Sequence, residues 1–251
     1  MRTKIFAANW KMFKTTGEVE SFCQQFINFP RVTGCEVAIF PAYTALGTLK
    51  SLMAGRGITW GGQNVHPKEN GAFTGEISCA MLKDLGCTWV LVGHSERRHV
   101  FHETDEFIAE KVNAVLKAGL KPNLCVGETL DQRQTGHTNE VVGRQLRTGL
   151  AQVTAEQLES MCVSYEPVWA IGTGQNATGH QAQEVCAFIR QELGRLYSPS
   201  KASGIRILYG GSVKPDNIAE FTSQEDVDGG LVGGASLVPE SFHQIIVRGS
   251  N

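Results

Sequence analysis

A chain of 251 residues with 41% hydrophobic residues, 19% charged residues and a formal net charge of −2 has ample material for a core, which excludes a disordered protein. An isoelectric point near 6.4, with no cationic cluster longer than the arginine pair in ERR (96–98), excludes an extended nucleic-acid footprint. No stretch of about 18 apolar residues is present, so no membrane helix is expected, and the few apolar residues before Asn9 do not make a secretory core, which points to a cytoplasmic protein.

Short apolar, β-branched runs follow one another along the chain: KIFAA (4–8), EVAIF (36–40), ITWGG (58–62), WVLV (89–92), NLCV (123–126), CVSY (162–165), IRILY (205–209) and GLV (230–232). They lack polar alternation, as strands buried on both faces of a parallel sheet do. Between them lie helical stripes, one through Ile108, Val112, Val115 and Leu116 and another through Val185, Phe188, Ile189, Leu193 and Leu196. Pro215 and Pro239 stand where a first helical turn would begin, a position at which the missing N–H costs nothing. No linker rich in Pro, Gly or Ser divides the chain, so one domain spanning 1–251 is expected.

Parallel strands need crossover helices, and a βα unit repeated eight times implies an α/β fold, a closed (β/α)8 barrel of eight parallel strands. An open doubly wound sheet also alternates in this way and stays compatible with the pattern alone. Seven cysteines without a C-x-x-C pair signal neither a disulfide framework nor a zinc site.

The chemically distinctive residues fall just after strand runs: Asn9 and Lys11 after the first, His94, Ser95 and Glu96 after the fourth, Glu166 after the sixth. In a barrel all of these converge on the face formed by the C-terminal strand ends, where active sites lie. Singly, Glu166 reads equally as a solvated carboxylate, Lys11 as a surface cation and His94 as a structural histidine. Together they offer a base, a hydrogen-bond donor and a cation on one rim. Glycines in GTG (172–174), YGGS (209–212) and VGGAS (232–236) follow the last three strands and fit a phosphate cradle, since glycine lets backbone N–H groups approach closely. Each pair alone is also a tight βα turn. GTGQNA does not open a helix directly from a strand, so it is no dinucleotide fingerprint, and His94, His99 and His102 lack metal-ligand spacing.

Across nearly its whole length the sequence resembles the triosephosphate isomerase family, in AANWKM (7–12), GGQN (61–64), GAFTGE (71–76), VGHSERR (92–98), CVGET (125–129), YEPVWAIGTG (165–174), YGGSV (209–213) and GLVGGASL (230–237). The resemblance implies interconversion of dihydroxyacetone phosphate and D-glyceraldehyde 3-phosphate through an enediolate, in glycolysis and gluconeogenesis. It implies Glu166 as base, His94 as electrophile, Asn9 and Lys11 as substrate-polarising groups and Glu96 as support. Phosphate is then held by N–H groups of Gly172, Ser212, Gly233 and Gly234. Pro167, Val168, Trp169, Ala170, Ile171, Gly172, Thr173 and Gly174 form a hinged lid that shields the intermediate from water. The family's homodimer is implied as well, with the loop 66–76 and its tip Thr74 entering the neighbouring subunit. No cofactor or metal is required, since both half-reactions are proton transfers. The rivals are another phosphate-binding barrel enzyme, or a catalytically silent barrel that binds without turnover. Two positions depart from the family pattern: Ser164 stands where alanine is usual, and Asn123 where an apolar residue is usual.

Overall fold

A computed structural model describes residues 2–171 and 177–251. Among the described residues eight strands, β1 (Lys4–Asn9), β2 (Cys35–Phe40), β3 (Thr59–Gly62), β4 (Trp89–Val92), β5 (Lys121–Val126), β6 (Cys162–Tyr165), β7 (Arg206–Tyr209) and β8 (Gly229–Val232), pair in parallel with their sequence neighbours. β8 returns to β1, with Ile5 opposite Gly229, and closes the barrel. This settles the choice between a barrel and an open sheet. Every apolar run is a strand, and the largest difference at an end is in β5, which begins at Lys121 because Lys121 and Pro122 already pair with Trp89 and Val90. Proline near the start of a strand hides that beginning from propensity, yet a first ladder position tolerates it.

Both faces of each strand are buried, but they face different cores. Ile5, Ala7, Ala38, Phe40, Trp89 and Leu91 point into the barrel with Cys125, Cys162, Leu208 and Leu231. The intervening residues, such as Phe6, Ile39, Val90, Leu124 and Val163, pack outward against the helices. That division explains why the runs show no polar alternation although the pleat alternates. Near the strand starts, Glu36 accepts hydrogen bonds from Trp89 Nε1 at 2.9 Å and Arg206 Nη1 at 3.0 Å, tying β2, β4 and β7 together at that end of the barrel.

The helix Asp105–Lys117 buries Ile108, Val112 and Val115, and the helix Gly179–Leu196 buries Val185, Ile189 and Leu193. Leu196 departs from its stripe: as the last helical residue it lies past the packed face and is 41% exposed. Thr104, Thr129, Thr154 and Thr178 each accept a hydrogen bond from the third N–H of the helix they precede, which fixes where those helices begin. Pro239 occupies the first turn of the helix Pro239–Ser250. Pro215 instead precedes the helix Ile218–Thr222 by three residues. There it follows Lys214 in a turn closed by Asn217, whose Oδ1 accepts from Lys214 N at 2.8 Å, so its fixed φ serves the turn rather than the helix. Among the described residues no helix is long and apolar enough to cross a membrane.

The two departures from the family pattern touch each other. Ser164 Oγ donates to Asn123 Oδ1 at 2.7 Å between β6 and β5, and both side chains are almost wholly buried. With both groups almost wholly buried, either one alone would be an unpaired polar atom costing about 1–3 kcal/mol. Ser164→Ala and Asn123→Leu should therefore each lower unfolding stability by about 1–3 kcal/mol, while the double variant recovers most of the loss, a coupling of about 1–2 kcal/mol. Urea unfolding of the four proteins at one protein concentration measures this, and additive costs would show that the two sites are independent.

Candidate active site

Asn9 is the last residue of β1, and its Oδ1 accepts a hydrogen bond from Lys11 N at 3.1 Å. Lys11 holds a φ of 50°, a conformation non-glycine residues adopt rarely, and its carbonyl is fixed by Gln63 Nε2 at 2.8 Å. Its Nζ lies 2.7 Å from Glu96 Oε1. His94 caps the short helix Ser95–His99 after β4, accepting from Glu96 N at its Nδ1 over 3.3 Å. The other ring nitrogen, Nε2, lies 3.0 Å from Glu166 Oε1, and Glu166 Oε2 accepts from Ser95 N at 2.9 Å. Glu166 directly follows β6 and is 2% exposed. Asn9, Lys11, His94, Glu96 and Glu166 thus come together on one rim.

Burial opposes ionisation of Glu166, but the facing His94, the Ser95 N–H and Lys11 outweigh it and hold the carboxyl below the ordinary carboxylate range. Burial likewise disfavours the His94 imidazolium, while Glu166 and then Glu96 favour it, and the balance lies above the ordinary histidine value. The Glu96 N–H aimed at Nδ1 acts in the opposite sense, since it requires a lone pair there and leaves the proton on Nε2.

A cavity of about 330 Å³ opens in front of these groups, lined on its far side by Gly210, Gly211, Ser212, Gly233 and Gly234 and flanked by Ile171. Ser212, Gly233 and Gly234 therefore stand on the same cavity as the base. Gly172, Thr173 and Gly174 lie outside the described residues. Pro167 to Ile171 are described: Val168–Ala170 form one 3-10 turn, Val168 N donates to Glu128 O, and Trp169 Nε1 donates to Glu128 Oε1 at 2.9 Å.

Several residues that matter here carried no role in the sequence reading. Glu128, fully buried, also takes the Tyr165 hydroxyl at 3.1 Å and lies 3.3 Å from Arg133 Nη1, so it anchors the start of the segment after β6. Gly210 is required by approach: a Cβ there would sit 2.9 Å from Glu166 Cγ, and one at Gly127 would sit 1.8 Å from the Glu166 carbonyl oxygen. Arg98 bonds the carbonyls of Gly93 and Cys125, locking the loop that carries His94 to β5. Their motifs, CVGET, YGGS and VGHSERR, mark the places, but proximity to Glu166 emerges when the barrel closes.

The family model for triosephosphate isomerase matches residues 4–248. A triosephosphate isomerase of Carboxydothermus hydrogenoformans is 51% identical over 251 residues, the whole of both chains. Proteins of the same name from Dictyoglomus thermophilum and Roseiflexus sp. are 48% and 50% identical over 247 residues, each covering 98% of this chain and at least 97% of their own length.

The electrostatic balance at Glu166 is testable. His94→Leu removes the ring that faces Glu166 while burial persists, so the Glu166 carboxyl should titrate higher than in the parent, followed by the pH dependence of its ¹³C carboxyl resonance. A carboxyl held low in the folded state contributes stability above the unfolded pKa and loses it as pH falls through the folded value. The parent should therefore lose stability on acidification more steeply than the variant. An unmoved or lowered Glu166 pKa would contradict this assignment.

Proposed function

The chain belongs to the triosephosphate isomerase family, and on that premise we propose that Glu166 is the base, and His94 and Lys11 the polarising groups, with which it interconverts dihydroxyacetone phosphate and D-glyceraldehyde 3-phosphate. The observation that carries this reading is one cavity with a buried carboxylate, an imidazole and an ammonium on one wall and the glycine-rich loops after β7 and β8 on the other. Phosphate rests against the Ser212, Gly233 and Gly234 loops, and Gly172 is assigned the same role from its motif. The triose then lies between them and Glu166.

Glu166 removes a proton from the carbon beside the carbonyl and returns it to the neighbouring carbon. Negative charge builds on the two oxygens in between, and His94 Nε2–H and Lys11 Nζ are the donors nearest that charge. Asn9 orients Lys11 through its backbone, and Glu96 holds the ammonium at 2.7 Å. A carboxylate that accepts from both Ser95 N and His94 is a weak base, so Glu166 must exchange these partners for the substrate's C–H. Giving up these two donors while the carboxylate stays buried raises its basicity when it is needed.

Glu166→Gln keeps the shape and removes the base. It should lower kcat at least about a thousandfold, roughly 4 kcal/mol of barrier, and leave binding of a phosphorylated analogue within about tenfold. A coupled isomerase assay with analogue titration measures both, and a variant retaining a tenth of normal kcat would remove Glu166 from this role.

The active form is taken to be a homodimer. The segment 66–76 is pinched at its base by His66 N bonding Ile77 O at 2.8 Å, and the tip, including Thr74, is exposed. Met12 is 93% exposed, Val100 63% and Phe101 60%, an apolar patch beside a second cavity of about 210 Å³ that Lys11, His94 and Glu96 also line. A loop from a second copy filling it would brace the catalytic lysine from behind. All seven cysteines are free and six are buried, which suits a reducing compartment such as the cytoplasm. Sedimentation at micromolar concentration should give the dimer mass. Thr74→Glu carries a second carboxylate toward Glu96 and should yield monomer, with kcat/KM lower by about a hundredfold, about 2.7 kcal/mol. A fully active monomer would refute the assembly.

A further inference from the structure

A cavity of about 320 Å³ lies away from the catalytic rim, near the strand starts. Its walls come from three places: the segment after the helix Thr16–Phe26, the turn 54–58 before β3, and the helix Pro239–Ser250. Phe26, Phe29, Val37, Ile58 and Ile246 make its floor, and Arg31, Arg56 and His243 stand among the lining residues. No Asp or Glu lines it, although the chain as a whole is slightly acidic.

The two guanidinium groups differ in what satisfies them. Arg56 Nε bonds Leu52 O at 3.1 Å. Arg31 has no hydrogen-bond or ion-pair partner among the described residues; its guanidinium lies so close over Gly57 that a Cβ there would meet Nη2 at 2.4 Å. His243 is stacked on Phe29, with centroids 4.7 Å apart, and its Nε2 lies 3.0 Å from Pro30 O, which fixes the ring in the wall. Cations without counter-charge beside an apolar floor suit a ligand with an anionic end and an apolar body. A sugar phosphate would set unpaired hydroxyls against Phe26, Ile58 and Ile246, at the cost of burying polar groups without partners. A planar carboxylate matches the guanidinium fork, and a hydrocarbon chain matches the floor.

We propose that this cavity is a binding site for medium-chain monocarboxylates, the carboxylate held by Arg31 and Arg56 and the chain laid over Phe26, Ile58 and Ile246. Its size is that of a small-molecule site. Because it is lined by none of the residues that line the catalytic cavity, occupancy leaves the isomerase cavity free, and the two ligands bind independently.

Decanoate is the probe, titrated into the wild-type chain by calorimetry, with methyl resonances of Ile58 and Ile246 reporting location. One site with Kd on the order of 100 μM is expected. Inorganic phosphate at concentrations that inhibit isomerisation should not displace it. Arg31→Gln should weaken binding about tenfold and Arg31→Gln/Arg56→Gln further, and both are exposed positions whose replacement leaves the fold intact. Decanol should bind at least about tenfold more weakly than decanoate. Absence of saturable binding below about 1 mM, displacement by phosphate, equal affinity for decanol, or full affinity in the double arginine variant would each overturn the proposal.

Discussion

A carboxylate 2% exposed at the end of β6 cannot stand without partners, and the rim is organised around meeting that requirement. His94 and the Ser95 N–H supply the two oxygens of Glu166 with donors, and both come from the turn after β4. That turn is held by Arg98, which reaches back to Gly93 O and across to Cys125 O. Cys125 in turn lies buried beside Glu166, where burial first and then the neighbouring carboxylate push its thiol well above the ordinary value and keep it neutral. A neutral thiol there adds no second negative charge beside Glu166.

Closure of the barrel is what brings these pieces within reach. Glu166 N bonds Val126 O and Gly210 N bonds Tyr165 O, so the ladder from β5 through β6 to β7 continues one residue past each strand end and fixes the height of the glutamate. The glycines at 127 and 210 let neighbouring backbone pass where side chains would strike Glu166. At the opposite end, Glu36, Trp89 and Arg206 bind three strands together. One end fixes the strands relative to one another, and the other is free to place reactive groups.

Much of this was legible in the chain itself. Runs buried on both faces mark strands irrespective of which core they enter, so all eight were visible, and residues after strand ends mark the rim because parallel closure sends every C-terminus the same way. Legibility ended where an outcome depends on a partner far along the chain. Asn123 and Ser164 each look like a flaw alone; 41 residues apart, they are one hydrogen bond. Glu128 reads as a loop acid, but its partners Tyr165 and Trp169 enter with the next βα unit. Pro215 was misplaced because a proline sets φ equally well for a turn and for a first helical residue, and Asn217 decides between them.

The charge on His94 is the least local property of the site. The Glu96 N–H on Nδ1 asks for a neutral ring, and the carboxylate on Nε2 asks for a charged one. Which influence prevails depends on where Glu166 points. With Glu166 against the ring the imidazolium is favoured; in the proposed mechanism Glu166 turns to a substrate carbon, and burial and the helix-terminal N–H are then opposed by Glu96 alone, which shifts the ring toward a neutral donor. A neutral imidazole that accepts from Glu96 N at Nδ1 keeps its proton on Nε2, and in the proposed mechanism that proton would face an enediolate oxygen, to which it is matched more closely in acidity than an imidazolium would be. In the proposed mechanism, movement of one carboxylate would ready the base and its partner in the same step, because each sets the proton affinity of the other.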